Sequence, residues 1–478
     1  MDHPGASSSN APGPPYRASE ANDAMKLQAS LVSFLSLVEP QQIPERFSSF
    51  AAALASEENE DARARLVKEN PSLLTSELCL ALVEEGDRLR RERDLARAGV
   101  AYRLAEDLAN RIGDGSSVIA ARTGLGHLSL ARRDPKGSLE AFESALALAR
   151  SSGNRAAAAD LLFNIGFVYF DQGDSDKALL HYTESLELSE SLEDPFLVAA
   201  LSNNIGGIHG TRRDYPAAVE FLRKSLALYR ELGLDREVAS LLDQLGRIHM
   251  DLGEYDRALE CREESHRLFE SLGDARRASE ALSAAAGIHG LLGNPTRALE
   301  YYERSLRSSR TAGDEQAEAR ILANMALVYR DLGEGDRVIE LLDQALARAR
   351  ASGARQLEAV VLRSLGVVWS ERSESPKALE RFEALALAKA LEDVELAADI
   401  EHSIAKLHEY AGNFAVALGY AERAAGAARR LGLRELLWQS LTIAGKSYGA
   451  AGRLGEAFVW WYPTTRKSPK GRSGLRLA

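Results

Sequence analysis

Three groups of residues have types and spacing that invite a chemical reading. Ala444-Gly445-Lys446-Ser447 resembles the end of a phosphate-binding loop, in which backbone amides and a lysine hold phosphate oxygens. That loop needs a glycine at position 440 and a strand before it, whereas Ser440 stands there and Leu441 and Ala444 continue a helical stripe. His209, His249, His289 and His408 recur at one register and could suggest a metal site. The same register holds Tyr169, Tyr329, Trp369 and Tyr448, which marks an aromatic packing position. Equivalent positions on stacked helices lie about 8 to 10 Å apart, too far to share a zinc ion that each ligand must approach to about 2.1 Å. Cys79 and Cys261 are far apart in the chain, so they imply neither a disulfide framework nor a thiolate cluster. No H-E-x-x-H or dinucleotide fingerprint occurs, and the one G-x-S-x-G, Gly445 to Gly449, lies on the helical stripe of the tenth unit rather than at a strand-to-helix turn. We therefore expect no catalytic site, metal or cofactor.

The elements carrying these residues repeat. Small residues occur at Gly86, Gly126, Gly166, Gly206, Gly246, Ala286, Ala326, Gly366, Ala405 and Gly445, each step being 40 residues except one of 39. Twelve positions further on, Ala98, Ser138, Ala178, Ala218, Ala258, Ala298, Val338, Ala378, Ala417 and Ala457 form a second small row. Two glycine series punctuate each unit: Gly173, Gly253, Gly293, Gly333, Gly412 and Gly452, then Gly153, Gly233, Gly273, Gly313, Gly353 and Gly432. Between them the apolar spacing is helical, as in Leu162, Ile165, Gly166 and Tyr169, followed by Ala178, Tyr182 and Ser185. Each unit is thus two helices and two turns, and neither helix can bury its stripe alone. Stacking of neighbours completes the core, which predicts an all-α fold. A glycine inside a helix costs about 1 kcal/mol relative to alanine. A row of them is best offset by close packing where the two helices of a unit cross.

Leu162, Ile165-Gly166, Tyr169, Ala178 and Tyr182 resemble the tetratricopeptide pattern of W-x2-L-G-x2-Y followed by A-x3-F, over residues 79 to about 460. The resemblance implies a right-handed α-solenoid of about ten helix-turn-helix repeats at residues 79–460, behind an N-terminal helical cap at 25–78. The period of 40 rather than 34 is similar to the longer-helix branch of that family, and the usual proline after the second helix is replaced by a glycine-acid turn. Residues 1–24, rich in proline, glycine and serine, form an expected disordered leader. In the cap, Leu31, Phe34, Leu35 and Val38 carry a helical stripe, with breaks at Pro40, Pro44 and Pro71. Pro463 interrupts the tenth unit just after Ala457 and Trp461, and 461–478 form a basic tail expected to be disordered.

The first helix of each unit carries a second stripe beside its core stripe: Asp160, Phe163, Asn164, Phe167 and Asp171 in the third unit. By the family resemblance this stripe lines a concave groove that receives a peptide or protein segment of a partner. At the register of Asn164 follow Asn204, Gln244, Ala284 and Asn324, with Asn203 beside the second of these. A carboxamide offers an acceptor and two donors, which suits recognition of a peptide backbone. Asp243, Arg247 and Asp251, then Arg320, Arg330 and Arg363, would add charge preference, and Phe163 with Phe167 an apolar pocket. The alternative is that these amides satisfy local backbone and the groove merely faces water.

A net charge of −11 disfavours nucleic acid and anionic membranes, and no run of 18 apolar residues occurs. A cytoplasmic, non-enzymatic scaffold or sensor arm is the expectation. The array is also similar to the N-terminal arm of bacterial proteins whose repeats precede a caspase-like CHAT protease domain. Asn70 to Leu74 and Leu437 to Arg453 carry that likeness, which would make this chain a recognition part awaiting a C-terminal effector. A regulatory arm of a transcription or signalling regulator ranks last, since no helix-turn-helix module is visible outside the array.

Overall fold

The computed structural model describes residues 43–453 and residue 455. The leader at 1–24, the cap stripe from Leu31 to Val38, Ala457, Trp461 and the tail at 461–478 lie outside the described residues. Within them every regular element is a helix.

Contacts gather the helices into two compact units, residues 1–232 and 233–478. The first begins with α1 (Glu45–Ser56), α2 (Glu60–Glu69) and a 3-10 turn at Pro71–Leu73. Four antiparallel pairs follow: α3 (Ser76–Arg91) with α4 (Leu95–Ile112), α5 (Gly115–Ala131) with α6 (Pro135–Ser151), α7 (Arg155–Asp171) with α8 (Ser175–Ser191), and α9 (Pro195–Thr211) with α10 (Tyr215–Glu231). Phe47, Ala51 and Leu54 of α1 and Val67 of α2 share a core with Leu78 and Leu82 of α3, so these helices close the apolar face of the first pair.

The second unit continues with α11 (Asp235–Asp251), α12 (Tyr255–Ser271), α13 (Ala275–Leu291), α14 (Pro295–Ala312), α15 (Glu315–Asp331), α16 (Gly335–Ala351) and α17 (Arg355–Glu371). The partner of α17 is split into α18 (Ser375–Arg381) and α19 (Ala384–Ala390), followed by α20 (Val394–Tyr410), α21 (Phe414–Leu431) and α22 (Arg434–Ala450). The split explains the single 39-residue step. The missing residue is absorbed at Phe382-Glu383, where the chain tightens to i→i+3 bonds, Leu385 N–H to Phe382 O at 2.9 Å and Ala386 N–H to Glu383 O at 2.9 Å.

The two glycine series behave as turn residues. Gly173 has φ +80°, and the amide of Asp174 reaches back to Tyr169 O at 2.9 Å, closing the helix end. The Asp174 side chain then accepts the Lys177 amide and starts α8, as Asp94, Asp114, Asp134, Asn154 and Asp194 start their helices. The glycine-acid pair therefore ends one helix and caps the next. Where glycine is missing, Arg133 and Arg213 take the same left-handed conformation, each at φ +60°.

The glycines within first helices have a different cause. A Cβ on Gly86, Gly166 or Gly366 would stand 2.6, 2.7 or 2.5 Å from the ring of Tyr102, Tyr182 or Phe382, the residue sixteen positions later on the second helix. Tyr182 is 1% exposed, so the glycine makes room for a large, fully buried ring. At Gly246 the corresponding residue is Arg262, also buried, and ion-paired to Asp243.

Candidate functional site

In the first compact unit, the first helices of three successive pairs, α3, α5 and α7, line an open cleft of about 760 Å3. Its wall includes Glu84, Asp87 and Arg90 from α3, Ala120, Thr123, Gly124 and His127 from α5, and Asp160, Leu161 and Asn164 from α7. Small residues open it: Gly124 has no side chain, and Tyr102 lies directly beneath it. The volume is in the range of sites that enclose a small ligand or a few residues of a peptide.

Most charged groups on the α3 wall are matched. Tyr102 donates to Asp87 Oδ1 at 2.7 Å, and Arg90 Nη2 approaches the same oxygen at 3.1 Å. Arg88 is held by Glu85 at 2.6 Å and by Glu92 at 2.7 Å. His127 packs edge-on to Phe142 with ring centroids 5.1 Å apart. Burial, with Arg90 adding, pushes its pKa down to about 4, against the pull of Asp87, so the ring is neutral at pH 7.

Asp160 is different. It is half-buried, no cation pairs with it among the described residues, and burial followed by the charge of Asp194 raises its pKa to about 7. Glu84, though exposed as a residue, has its carboxyl pushed above the usual range by burial and then by Asp87. Asn164 is 7% exposed and lines the cleft, and its amide has no hydrogen-bond partner among the described residues.

The register explains that orphan amide. In the next unit, Asn204 lies close enough to the hydroxyl of buried Tyr182, from the second helix of the preceding pair, to act against the rise that burial gives its pKa. At the corresponding place before Asn164 the chain has Phe142, which has no hydroxyl. The two amides thus share a position in the repeat but differ in what they meet.

The other residues of the expected groove are dispersed. Phe163 is 4% exposed and packs with Tyr182, Leu197 and Leu201, its ring centroid 5.8 Å from that of Tyr182. It and Phe167, 5% exposed, are packing residues rather than an open apolar pocket, because this stripe borders the contact with the next pair. Asn203 is buried and Asp171 exposed. In the second unit, Asp243 is tied to Arg262, and Arg363 to Asp399 at 2.5 Å. Gln244, Arg247 and Asn324 are half-buried, while Asp251, Arg320 and Arg330 are exposed. The cleft brings together Asp160 and Asn164 of the expected set. It adds Glu84, Asp87, Thr123, Gly124 and His127, which the amide row missed because it was followed only forward from Asn164. The same register two units back is Glu84, and one unit back Gly124.

The chemical candidates of the sequence fall on ordinary structure. Gly445, Lys446 and Ser447 lie within α22, Ser447 is buried and Lys446 Nζ donates to Glu409 at 2.7 Å, leaving no loop to cradle phosphate. His209, His289 and His408 pair with Phe221, Tyr301 and Tyr420 on the second helix of the same unit, with centroids 5.9, 4.9 and 6.2 Å apart. His249 is held by Glu254 at 2.6 Å. Both cysteines are free. Among the described residues no helix is long and apolar enough to cross a membrane.

Family models described as tetratricopeptide repeat match residues 117–191, 155–231 and 237–311, and a second such model matches 321–355. The chain is built of tetratricopeptide repeats. Among solved structures, the apo form of RapI is similar at 14% identity, over 74% of this chain and 98% of that one, with a TM-score of 0.58. A signal transduction ATPase with numerous domains, carrying a tetratricopeptide repeat sensor, from Pyrococcus horikoshii is similar at 17% identity, over 88% of this chain and 72% of that one, with a TM-score of 0.51. At such identities the likeness is one of fold. No curated protein matches the tetratricopeptide chain in sequence.

Proposed function

We propose that this tetratricopeptide array is a non-catalytic, cytoplasmic interaction scaffold or sensor arm, and that the cleft between α3, α5 and α7 receives an extended segment of a partner protein. A C-terminal effector, covalent or separate, would be the natural recipient of the signal. The observation that carries the reading is Asn164. Its amide makes no bond within the protein among the described residues and opens to the cleft, so a peptide N–H or C=O laid there would find a donor and an acceptor ready to meet it. The protein-interaction role associated with tetratricopeptide repeats, and a sensor arm of that fold in the Pyrococcus horikoshii protein, support the same direction.

The reading also revises which amides matter. Asn204 is engaged with Tyr182, so the row does not act as one track. Partner capture by the wild-type chain and by Asn164→Ala and Asn204→Ala variants, with circular dichroism as control, tests this. Asn164→Ala is expected to reduce capture at unchanged helicity. Undiminished capture by a folded Asn164→Ala variant would rule the reading out.

A further inference from the structure

The cleft carries more information than its shape. Every arginine on its α3 wall except Arg91 is already neutralised: Arg88 by Glu85 and Glu92, Arg90 by Asp87. Arg91 is exposed at the end of α3 and free to remain in water. Two carboxylates of the lining, Asp160 on α7 and Glu84 on α3, have no cation among the described residues. The named charged neighbours of Asp160 and Glu84 are themselves acidic, Asp194 at the start of α9 and Asp87 on α3.

We infer that the partner segment presents a basic side chain, lysine or arginine, to Asp160, while Asn164, one turn further along α7, holds the adjoining peptide backbone. The inference rests on the groove reading above and names the chemistry of its ligand. An unneutralised carboxylate in a partly dehydrated cleft is a costly unmet charge, and a cation placed beside Asp160 regains Coulomb energy that water would screen on an open surface. Asn164 is the independent sign that something polar belongs there: it is more than nine-tenths buried, and its amide opens to the same cleft without a bond inside the protein among the described residues. The His127 ring, neutral at pH 7, offers no competing positive charge. An acidic side chain in the same place would face Asp160 directly and be repelled.

Binding of a cation also shifts protons. Half of Asp160 is protonated near pH 7, and only the ionised half attracts a basic side chain. Affinity should therefore rise between about pH 6 and 8, with release of a proton from the Asp160 carboxyl.

The test uses the full chain and four blocked hexapeptides: acetyl-Ser-Gly-Lys-Lys-Gly-Ser-amide and its arginine, Nε-acetyl-lysine and glutamate counterparts, titrated by calorimetry at low salt. The expected result is that the lysine and arginine peptides bind at least about tenfold tighter than the acetyl-lysine and glutamate peptides. That preference should shrink about fivefold or more in Asp160→Asn, where the pH dependence should also flatten, and should persist in Glu84→Gln, whose carboxyl lies two units away on α3. Asn164→Ala should weaken all bound peptides by a similar factor.

Equal binding of the lysine and acetyl-lysine peptides, both weakened by Asn164→Ala, would overturn the basic-ligand inference and leave the groove reading standing. No binding by any peptide, or indifference of all of them to Asn164→Ala, would overturn both. Spermidine binding as tightly as the lysine peptide, without effect of Asn164→Ala, would make the occupant a small polyamine and likewise overturn the inference. Circular dichroism and melting of each variant separate loss of ligand from loss of fold.

Discussion

Gly166 and Tyr182 occupy one volume: a Cβ on the glycine would lie 2.7 Å from both Cδ1 and Cε1 of the buried ring. The pair locks the crossing of α7 and α8. Alanine at position 166 would gain about 1 kcal/mol of helix propensity but force the ring from its place, where overpacking costs about 1–3 kcal/mol. Gly166→Ala is therefore expected to lower the unfolding midpoint in urea. Gly290 on α13 is the control, since a Cβ there meets nothing within 4 Å and the residue is exposed. Gly290→Ala should raise stability by about 0.5–1 kcal/mol. If both substitutions stabilise, the glycine is not held by the ring.

The turns offer an opposite case. Arg213 sits at φ +60° at the register that glycine occupies as Gly173 and Gly253. A side chain in this conformation costs about 1–2 kcal/mol, against the extra freedom glycine has in the unfolded chain. Arg213→Gly is expected to raise stability by about 0.5–1 kcal/mol, and the melting temperature slightly with it. A fall would show that the Arg213 side chain makes a stabilising contact outweighing its strain.

How much of this was readable beforehand depends on whether a residue's role is set within one unit. The 40-residue period, the helix pairs, the glycine-acid turns and the crossing glycines are local to a unit, and each follows from spacing alone. Asn164 and Asn204 look identical in the sequence because the difference lies in the preceding second helix, Phe142 in one case and Tyr182 in the other. Phe163 looked like groove lining because its stripe borders the contact with the following pair, and periodicity cannot say on which side of that border a large ring falls. The 39-residue step announced a missing residue, but only the backbone showed it absorbed at Phe382-Glu383. Arg262, at the register of Tyr182 and Leu222, is a buried charge that pattern alone would read as an exposed one.

That contrast between the two asparagines separates stability from recognition. Removing the Asn204 amide takes a polar neighbour from the buried Tyr182 hydroxyl, which should lower the melting temperature. Asn164→Ala loses no hydrogen bond and should leave the melting temperature nearly unchanged or slightly higher. Differential scanning calorimetry of both variants decides it, and equal destabilisation would mean that Asn164 has a structural partner after all.

Asp160 supplies a pH test that needs no ligand. Its folded pKa, about 7, is above the ordinary value of 3.8, so the folded state binds the proton more tightly than the unfolded one. Between about pH 4 and 7 the native protein holds more protons at this site, and stability from Asp160 falls as pH rises. Above pH 7 both states are ionised and the cost of keeping the carboxylate in the cleft, with Asp194 nearby, is complete. Asp160→Asn removes that charge while keeping the shape. The variant is expected to melt higher than wild type at pH 8, with the gap closing as pH approaches 4. Parallel melting curves of the two proteins across that range would show that water reaches Asp160 freely, and with it the reason for expecting a cation in the cleft would go.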